Sequence, residues 1–232
     1  MPARSGRSPA RHPFVVAIDG PAGAGKSTVA RGVARALHFA YLDTGAMYRA
    51  ITAKALAAGL DATDERALTA LTRSTDIGFV AGEMRVDGQA LGRDIRSRRV
   101  SGWVSSVSAH RGVRRELVKR QRALLRGGDV VAEGRDIGTV VYPEAPIKVF
   151  LTASIDERAR RRHREMSKAG EAVSLPTLKR EIARRDVMDS TRAVSPLTPA
   201  PDAILLDTTG KTPRRVVSEI VSLVRAAMGE SR

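Results

Sequence analysis

The chain has 232 residues, enough for one large domain that buries ~70–75% of its extended surface. It contains no cysteine, which excludes thiol catalysis, iron–sulfur ligation and thiolate-based zinc sites and fits a reducing compartment, and no run of about 18 apolar residues is present to span a bilayer. Forty basic residues, 33 of them Arg, against 25 acidic ones leave a formal charge of +15, which points to an anionic ligand, because arginine's planar fork suits phosphate or carboxylate.

Residues 1–12 begin with MPARSGRSPAR, carry Arg4, Arg7 and Arg11 without an acid, and read as a disordered basic tail outside the folded domain, which is expected over 13–232. Phe14–Asp19 is a short β-branched run that ends in glycines, and Val29, Val33 and Leu37 recur at helical spacing over Lys26–Leu37. That is strand, loop, helix. Further helices are read over Ala46–Ala58 and Asp61–Arg73, and Asp76–Val80 and Glu83–Val86 read as strands of a small hairpin with an Asp87-Gly88 turn. Arg96–Ser108 and Val113–Arg126 read as helices.

Alternation then returns. Asp129–Ala132 and Ile147–Leu151 are continuous apolar runs, Asp156–Met166 and Leu178–Met188 are helices, and Ala203–Leu206 is a last strand. Thr212 and Pro213 open a final helix with Val216, Val217, Ile220, Val221 and Val224 on one face. Apolar strands alternating with helices predict an α/β fold whose parallel sheet is covered on both sides.

Gly20-Pro-Ala-Gly-Ala-Gly25-Lys26-Ser27 matches G-x-x-x-x-G-K-[ST] in the strand–loop–helix context that the motif requires. Its backbone N–H groups and the helix N-terminus can cradle phosphates, Lys26 adds a point charge, and Ser27 can hold Mg²⁺. A nucleoside triphosphate is therefore the expected ligand. The chain has no asparagine, so the N-K-x-D element by which GTPases read guanine is absent, and a small-substrate kinase is the expectation.

Phosphoryl transfer needs convergent cations. Arg135 and Asp136 lie just past the carboxyl end of an apolar strand, where α/β sheets place ligands. Arg49 follows Asp43-Thr44-Gly45-Ala46-Met47-Tyr48, and Arg185 and Arg192 bracket Asp189; for these a solvated or structural ion pair remains the alternative. No histidine sits in a convincing site. A phosphate acceptor needs no base, since its second pKa is near 6, whereas an alcohol acceptor would leave Asp136 as the candidate base. The Asp156–Met166 helix, with Arg158, Arg160, Arg161, Arg162 and Arg164, is too dense in charge for a buried face. Two readings compete for it, a lid over the triphosphate and a nucleic-acid patch. Only eight aromatics exist and none interleaves the run, so base stacking is poorly supported.

The stretches IDGPAGAGKST (18–28), YLDTGAMYRA (41–50), VRRELVKRQRALL (113–125), VVAEGRDIGTVVYPEAPIKVFLTAS (130–154) and ARRDVMDSTRAVSPL (183–197) resemble the bacterial cytidylate (CMP) kinases of the nucleoside monophosphate kinase superfamily. The resemblance implies a P-loop three-layer α/β/α fold with a five-stranded parallel sheet, an inserted monophosphate-binding subdomain near 62–108 and a lid near 156–170. It implies Mg-dependent transfer of phosphate from ATP to CMP and to dCMP, in pyrimidine nucleotide metabolism in the cytoplasm. By the same resemblance, Gly20, Gly23, Ala24, Gly25, Lys26, Ser27, Thr28, Arg158 and Arg162 contact ATP, with Lys26, Arg135 and Arg192 catalytic. Thr44, Arg114 and Asp136 read cytosine, Tyr48 also binds CMP, Arg49, Arg135 and Arg192 take the acceptor phosphate, and Ser105, Arg185 and Asp189 take the ribose. A monomer without membrane or specific nucleic-acid partners is expected. The rival readings are a kinase of UMP or AMP and a basic RNA-binding protein with a nucleotide switch.

Overall fold

The computed structural model describes residues 13–80, 83–168 and 170–229; the expected basic tail over 1–12 lies outside them. Five parallel strands form the central sheet: β1 (Val15–Asp19), β2 (Ala40–Asp43), β6 (Val130–Glu133), β7 (Ile147–Thr152) and β8 (Ile204–Asp207), in the order β2-β6-β1-β7-β8. Strand β1 alternates between two cores. Val15 and Ala17 join one with α2 (Thr44–Ala57), α3 (Glu65–Ser74), α4 (Arg98–Ala109) and α5 (Arg111–Leu125), where Met47, Ile51, Leu68, Val107 and Leu117 are buried. Val16 and Ile18 join the other, with Val29 and Val33 of α1 (Lys26–Leu37) and Val216, Ile220 and Val224 of α8 (Pro213–Ala227). Helices thus cover both faces of β1, β6 and β7, as uninterrupted apolar strands require, whereas the edge strand β8 leaves Ile204 and Leu205 exposed, against the expectation of a sheet covered throughout.

Strand β2 has no hydrophobic period in the sequence, because it is a four-residue edge strand in which only Leu42 is buried. Its register pairs Asp43 with Glu133. A second, antiparallel sheet holds β3 (Ile77–Val80), β4 (Glu83–Val86) and β5 (Gln89–Ala90). The Asp87-Gly88 turn joins β4 to β5, not the two expected strands, with both residues at positive φ (51° and 76°) as a two-residue hairpin loop demands. A π-helical turn at Ile137–Val141 follows β6. The helices α6 (Ile155–Lys168) and α7 (Leu175–Thr191) pack together around Ala159, Met166, Leu178 and Ile182. Among the described residues, no helix is long and apolar enough to cross a membrane.

Candidate active site

The carboxyl ends of β1, β2 and β6 open into one cleft of about 490 Å³. Strand β1 ends at Asp19 and runs directly into the glycine loop. Gly20 sits at φ 143°, and a Cβ there would lie 2.2 Å from the Leu151 carbonyl oxygen, so the loop leaves the sheet through a gap that only glycine fits. Gly23, Lys26 and Ser27 line the cleft, whereas Gly20, Ala24, Gly25 and Thr28 do not. Ala24 belongs to the hydrophobic core, and Gly25 caps α1 in the left-handed conformation at φ 91°.

Lys26 is buried and its Nζ donates to the Pro21 carbonyl at 2.8 Å. Burial and then the charge of Arg135 pull its pKa down to about 7, against the opposing pull of Glu133 and Asp19. Bound polyphosphate would restore the preference for the ammonium form. Binding a non-hydrolysable ATP analogue at pH 8 is therefore expected to take up close to one proton, and about none at pH 6, measured by calorimetry in buffers of different ionisation enthalpy. Lys26→Met should abolish that uptake.

The Ser27 hydroxyl donates to Glu133 Oε2 at 3.0 Å, and the Tyr41 hydroxyl donates to the other carboxylate oxygen. Glu133 is buried, and burial followed by the Asp43 charge raises its pKa. Sequence reasoning passed over this residue. The signal was present, because an acid that ends an apolar strand faces the same crevice as the arginine two positions later.

Every residue expected to touch the monophosphate nucleotide lines the cleft: Thr44, Tyr48, Arg49, Ser105, Arg114, Arg135, Asp136, Arg185, Asp189 and Arg192. They come from five places: α2, α4, α5, the loop after β6, and α7 with the residue that ends it. The Asp43 carboxylate caps α2 by accepting from Ala46 N at 2.9 Å, and this fixes Thr44, whose hydroxyl donates to the Glu133 carbonyl at 2.6 Å. Arg49, one turn on, donates to the Ile95 carbonyl at 3.2 Å and to Ser101 Oγ at 3.0 Å. Arg114 of α5 donates to a carboxylate oxygen of Asp136 and to the Ser108 carbonyl, and lies over the Tyr48 ring at 5.4 Å. Asp189 of α7 accepts from Arg135 Nε at 2.9 Å and from Ser105 Oγ at 3.1 Å, so α4, α7 and the loop after β6 meet on one carboxylate.

Cations crowd this end of the cleft. Burial first, then Arg185, Arg96 and Arg135, lower the Arg49 pKa to about 9; burial and Arg135 lower that of Arg185 to about 10. Burial alone would raise Asp189, but the charges of Arg135 and Arg185 outweigh it and hold it below the ordinary value. Among the described residues, Arg114 Nε, Arg185 Nε, Arg192 Nη2 and the Tyr48 hydroxyl are buried without hydrogen-bond partners. Repelling cations with donors left over form a ready anion site.

The α6 arginines divide. Arg158 is buried, against the expectation from charge density, because its guanidinium finds partners: the Ala153 and Ala22 carbonyls at 3.0 and 3.2 Å, and Asp186 at 2.7 Å. It packs behind the glycine loop and does not line the cleft; Arg162 does. Arg160, Arg161 and Arg164 lie within 3.7 Å of Glu157, and Arg162 within 3.4 Å of Glu165. Three of these arginines share the one Glu157 carboxylate, so the helix keeps an excess of positive charge.

A sequence model of the family described as cytidylate kinase matches residues 16–226. The cytidylate kinase of Geobacillus kaustophilus is 50% identical, over 92% of this chain and 97% of that protein. The bifunctional pantoate ligase/cytidylate kinase of Synechococcus sp. (strain JA-2-3B'a(2-13)) is also 50% identical over 99% of this chain, which spans only 44% of that longer protein. Among solved structures, an uncharacterized protein from Eubacterium ventriosum ATCC 27560 superposes with a TM-score of 0.52 at 10% identity, over 92% of this chain and 99% of the other, which reflects a shared fold.

Proposed function

Because this chain belongs to the cytidylate kinase family, we infer that it transfers the terminal phosphoryl group of ATP to CMP, giving ADP and CDP, and that it also takes dCMP. The observation that carries this reading is one cleft lined by the glycine loop, a buried Arg114–Asp136 pair and mutually repelling arginines. ATP lies with its phosphates on the glycine loop and Lys26. Arg158 braces that loop through the Ala22 carbonyl, and Arg162 faces the cleft. Segments near 62–108 and 156–170 act as the acceptor-binding arm and the lid.

An oxygen of the CMP phosphate attacks the γ-phosphorus. The bond to the bridging oxygen breaks, and that oxygen leaves on ADP with the electron pair. The acceptor is already mostly dianionic at neutral pH, so no side chain must take a proton. What the protein supplies is cancellation of repulsion between two anions, by Lys26 from the donor side and by Arg49, Arg135 and Arg192 from the acceptor side. The oxygens of Ser27 and Glu133, 3.0 Å apart at the cleft wall, suit a hard cation, so these residues would hold Mg²⁺. When bound there, Mg²⁺ would supply positive charge to the triphosphate.

Asp136 accepts from the cytosine amino group, while Arg114 donates to the ring acceptors. Uracil lacks that amino group and leaves the carboxylate unpaired. Ser105, Arg185 and Asp189 face the ribose. ADP formation from ATP and Mg²⁺ with a panel of ribo- and deoxyribonucleoside monophosphates tests the reading. CMP and dCMP should be the best acceptors, and AMP, GMP or UMP as good as CMP would overturn it.

A further inference from the structure

We propose that Asp19 is a positioning residue for acceptor-base recognition: from the end of β1 its carboxylate clamps the turn that carries Asp136. The proposal rests on the reading of Asp136 as the group that meets cytosine. Regular pairing between β1 and β6 ends near Ile18, whose carbonyl accepts from Gly134 N at 3.0 Å. Beyond that point the chain leaves the sheet, and Asp136 adopts φ −152°, ψ 27° with no side chain of its own capping the π-helical turn that follows. The first N–H groups of such a turn have no partner within it. Asp19 supplies both acceptors: Oδ1 takes Ile137 N at 2.9 Å and Oδ2 takes Gly138 N at 2.8 Å. On the other side of the peptide, the Asp136 carbonyl accepts from Val140 N and Val141 N at 2.9 and 3.0 Å. The base-facing residue is therefore held between an anchor on β1 and the turn it begins.

This carboxylate is expensive where it stands. Burial, helped by the like charge of Asp136, pushes its pKa up to about 6 although two backbone N–H groups pull the other way. A neutral side chain would avoid that cost, but no neutral side chain presents two acceptors to adjacent N–H groups. Asparagine would turn an amide donor toward one of them. Asp19 also leads directly into Gly20, so one residue ties the donor-phosphate loop to the acceptor-base turn.

Asp19→Asn tests the proposal, with the wild-type enzyme and Asp19→Ser assayed beside it. The readout is the ratio of kcat/KM for CMP over UMP, taken from mixtures of the two so that it does not depend on the amount of folded protein, together with separate KM values for CMP and ATP. The expected result is a ratio lowered about tenfold or more and a KM for CMP raised by a similar factor, as loss of one positioned hydrogen bond implies, with KM for ATP within about threefold of wild type. An unchanged ratio in both variants would overturn the proposal, as would equal rises in KM for both substrates, the mark of general loosening. A wild-type enzyme indifferent to the base would instead overturn the reading of Asp136 beneath it.

Discussion

Lys26→Ala is expected to lower kcat/KM by on the order of 10³-fold or more while leaving the protein folded at least as stably as the wild type. The catalytic loss follows from position. The ammonium sits inside the curl of the glycine loop, 2.8 Å from the Pro21 carbonyl, and in the proposed transfer it is the cation that meets the charge building up between the β- and γ-phosphates. Burial makes it count for more than a surface lysine, since the field of a charge is less screened there. The stability side follows from the same burial. An ordinary lysine ionises near 10.5 and this one near 7, so the folded state pays to keep it charged. That penalty is complete below pH 7 and relieved between pH 7 and 10.5, where the unfolded chain holds the extra proton. Alanine removes the penalty at neutral pH. Thermal unfolding at pH 7 beside single-turnover kinetics checks both halves: a midpoint well below wild type would mean that the lysine is structural, and retained turnover would remove it from the reaction.

What could be seen in advance depended on whether the signal was local. The glycine loop lies within eight residues and between two periodic segments, so strand β1, the loop and α1 were legible from Gly20, Gly25, Lys26 and the Val29–Val33–Leu37 spacing. Strand β2 was not, because an edge strand with one buried residue has no hydrophobic period to detect. The Asp87-Gly88 turn was visible as a turn, but which strands it joined depended on the two-residue β5, too short to register. Arg158 looked like solvent-facing charge because density of like residues is a one-dimensional measure. Its burial depends on Asp186 of another helix and on carbonyls at Ala22 and Ala153, which only the fold brings near. Asp19 and Glu133 share that character. Each reads as the polar end of an apolar strand, and each takes its meaning from partners more than a hundred residues away, Ile137 and Gly138 for the one and Ser27 for the other.

The largest change in specificity is expected from Asp136→Asn, which should lower the preference for CMP over UMP by on the order of 10²-fold and mostly through the acceptor. The wild-type carboxylate only accepts. One oxygen is engaged by Arg114, and the other lies 4.0 Å from Arg192 Nη2, toward a donor that has no hydrogen-bond partner among the described residues. In the proposed function cytosine meets that face with an amino donor, whereas uracil presents a carbonyl and is repelled. In the asparagine variant the amide oxygen stays with Arg114, because the guanidinium has only donors to offer, and the amide nitrogen is left facing the base. A donor now meets uracil's carbonyl and opposes cytosine's amino group, so one contact is lost for CMP and one gained for UMP. Alanine is the harsher test. It would leave Arg114, whose Nε is already unpaired, as an uncompensated buried charge costing about 3–5 kcal/mol, and it should erode CMP selection together with stability. Steady-state kinetics with CMP and UMP at saturating ATP, with equilibrium binding of an ATP analogue as the control, separates these outcomes. If Asp136→Asn still selects CMP as wild type does, Asp136 does not meet the base, and the selection lies with Thr44 and Arg114 instead.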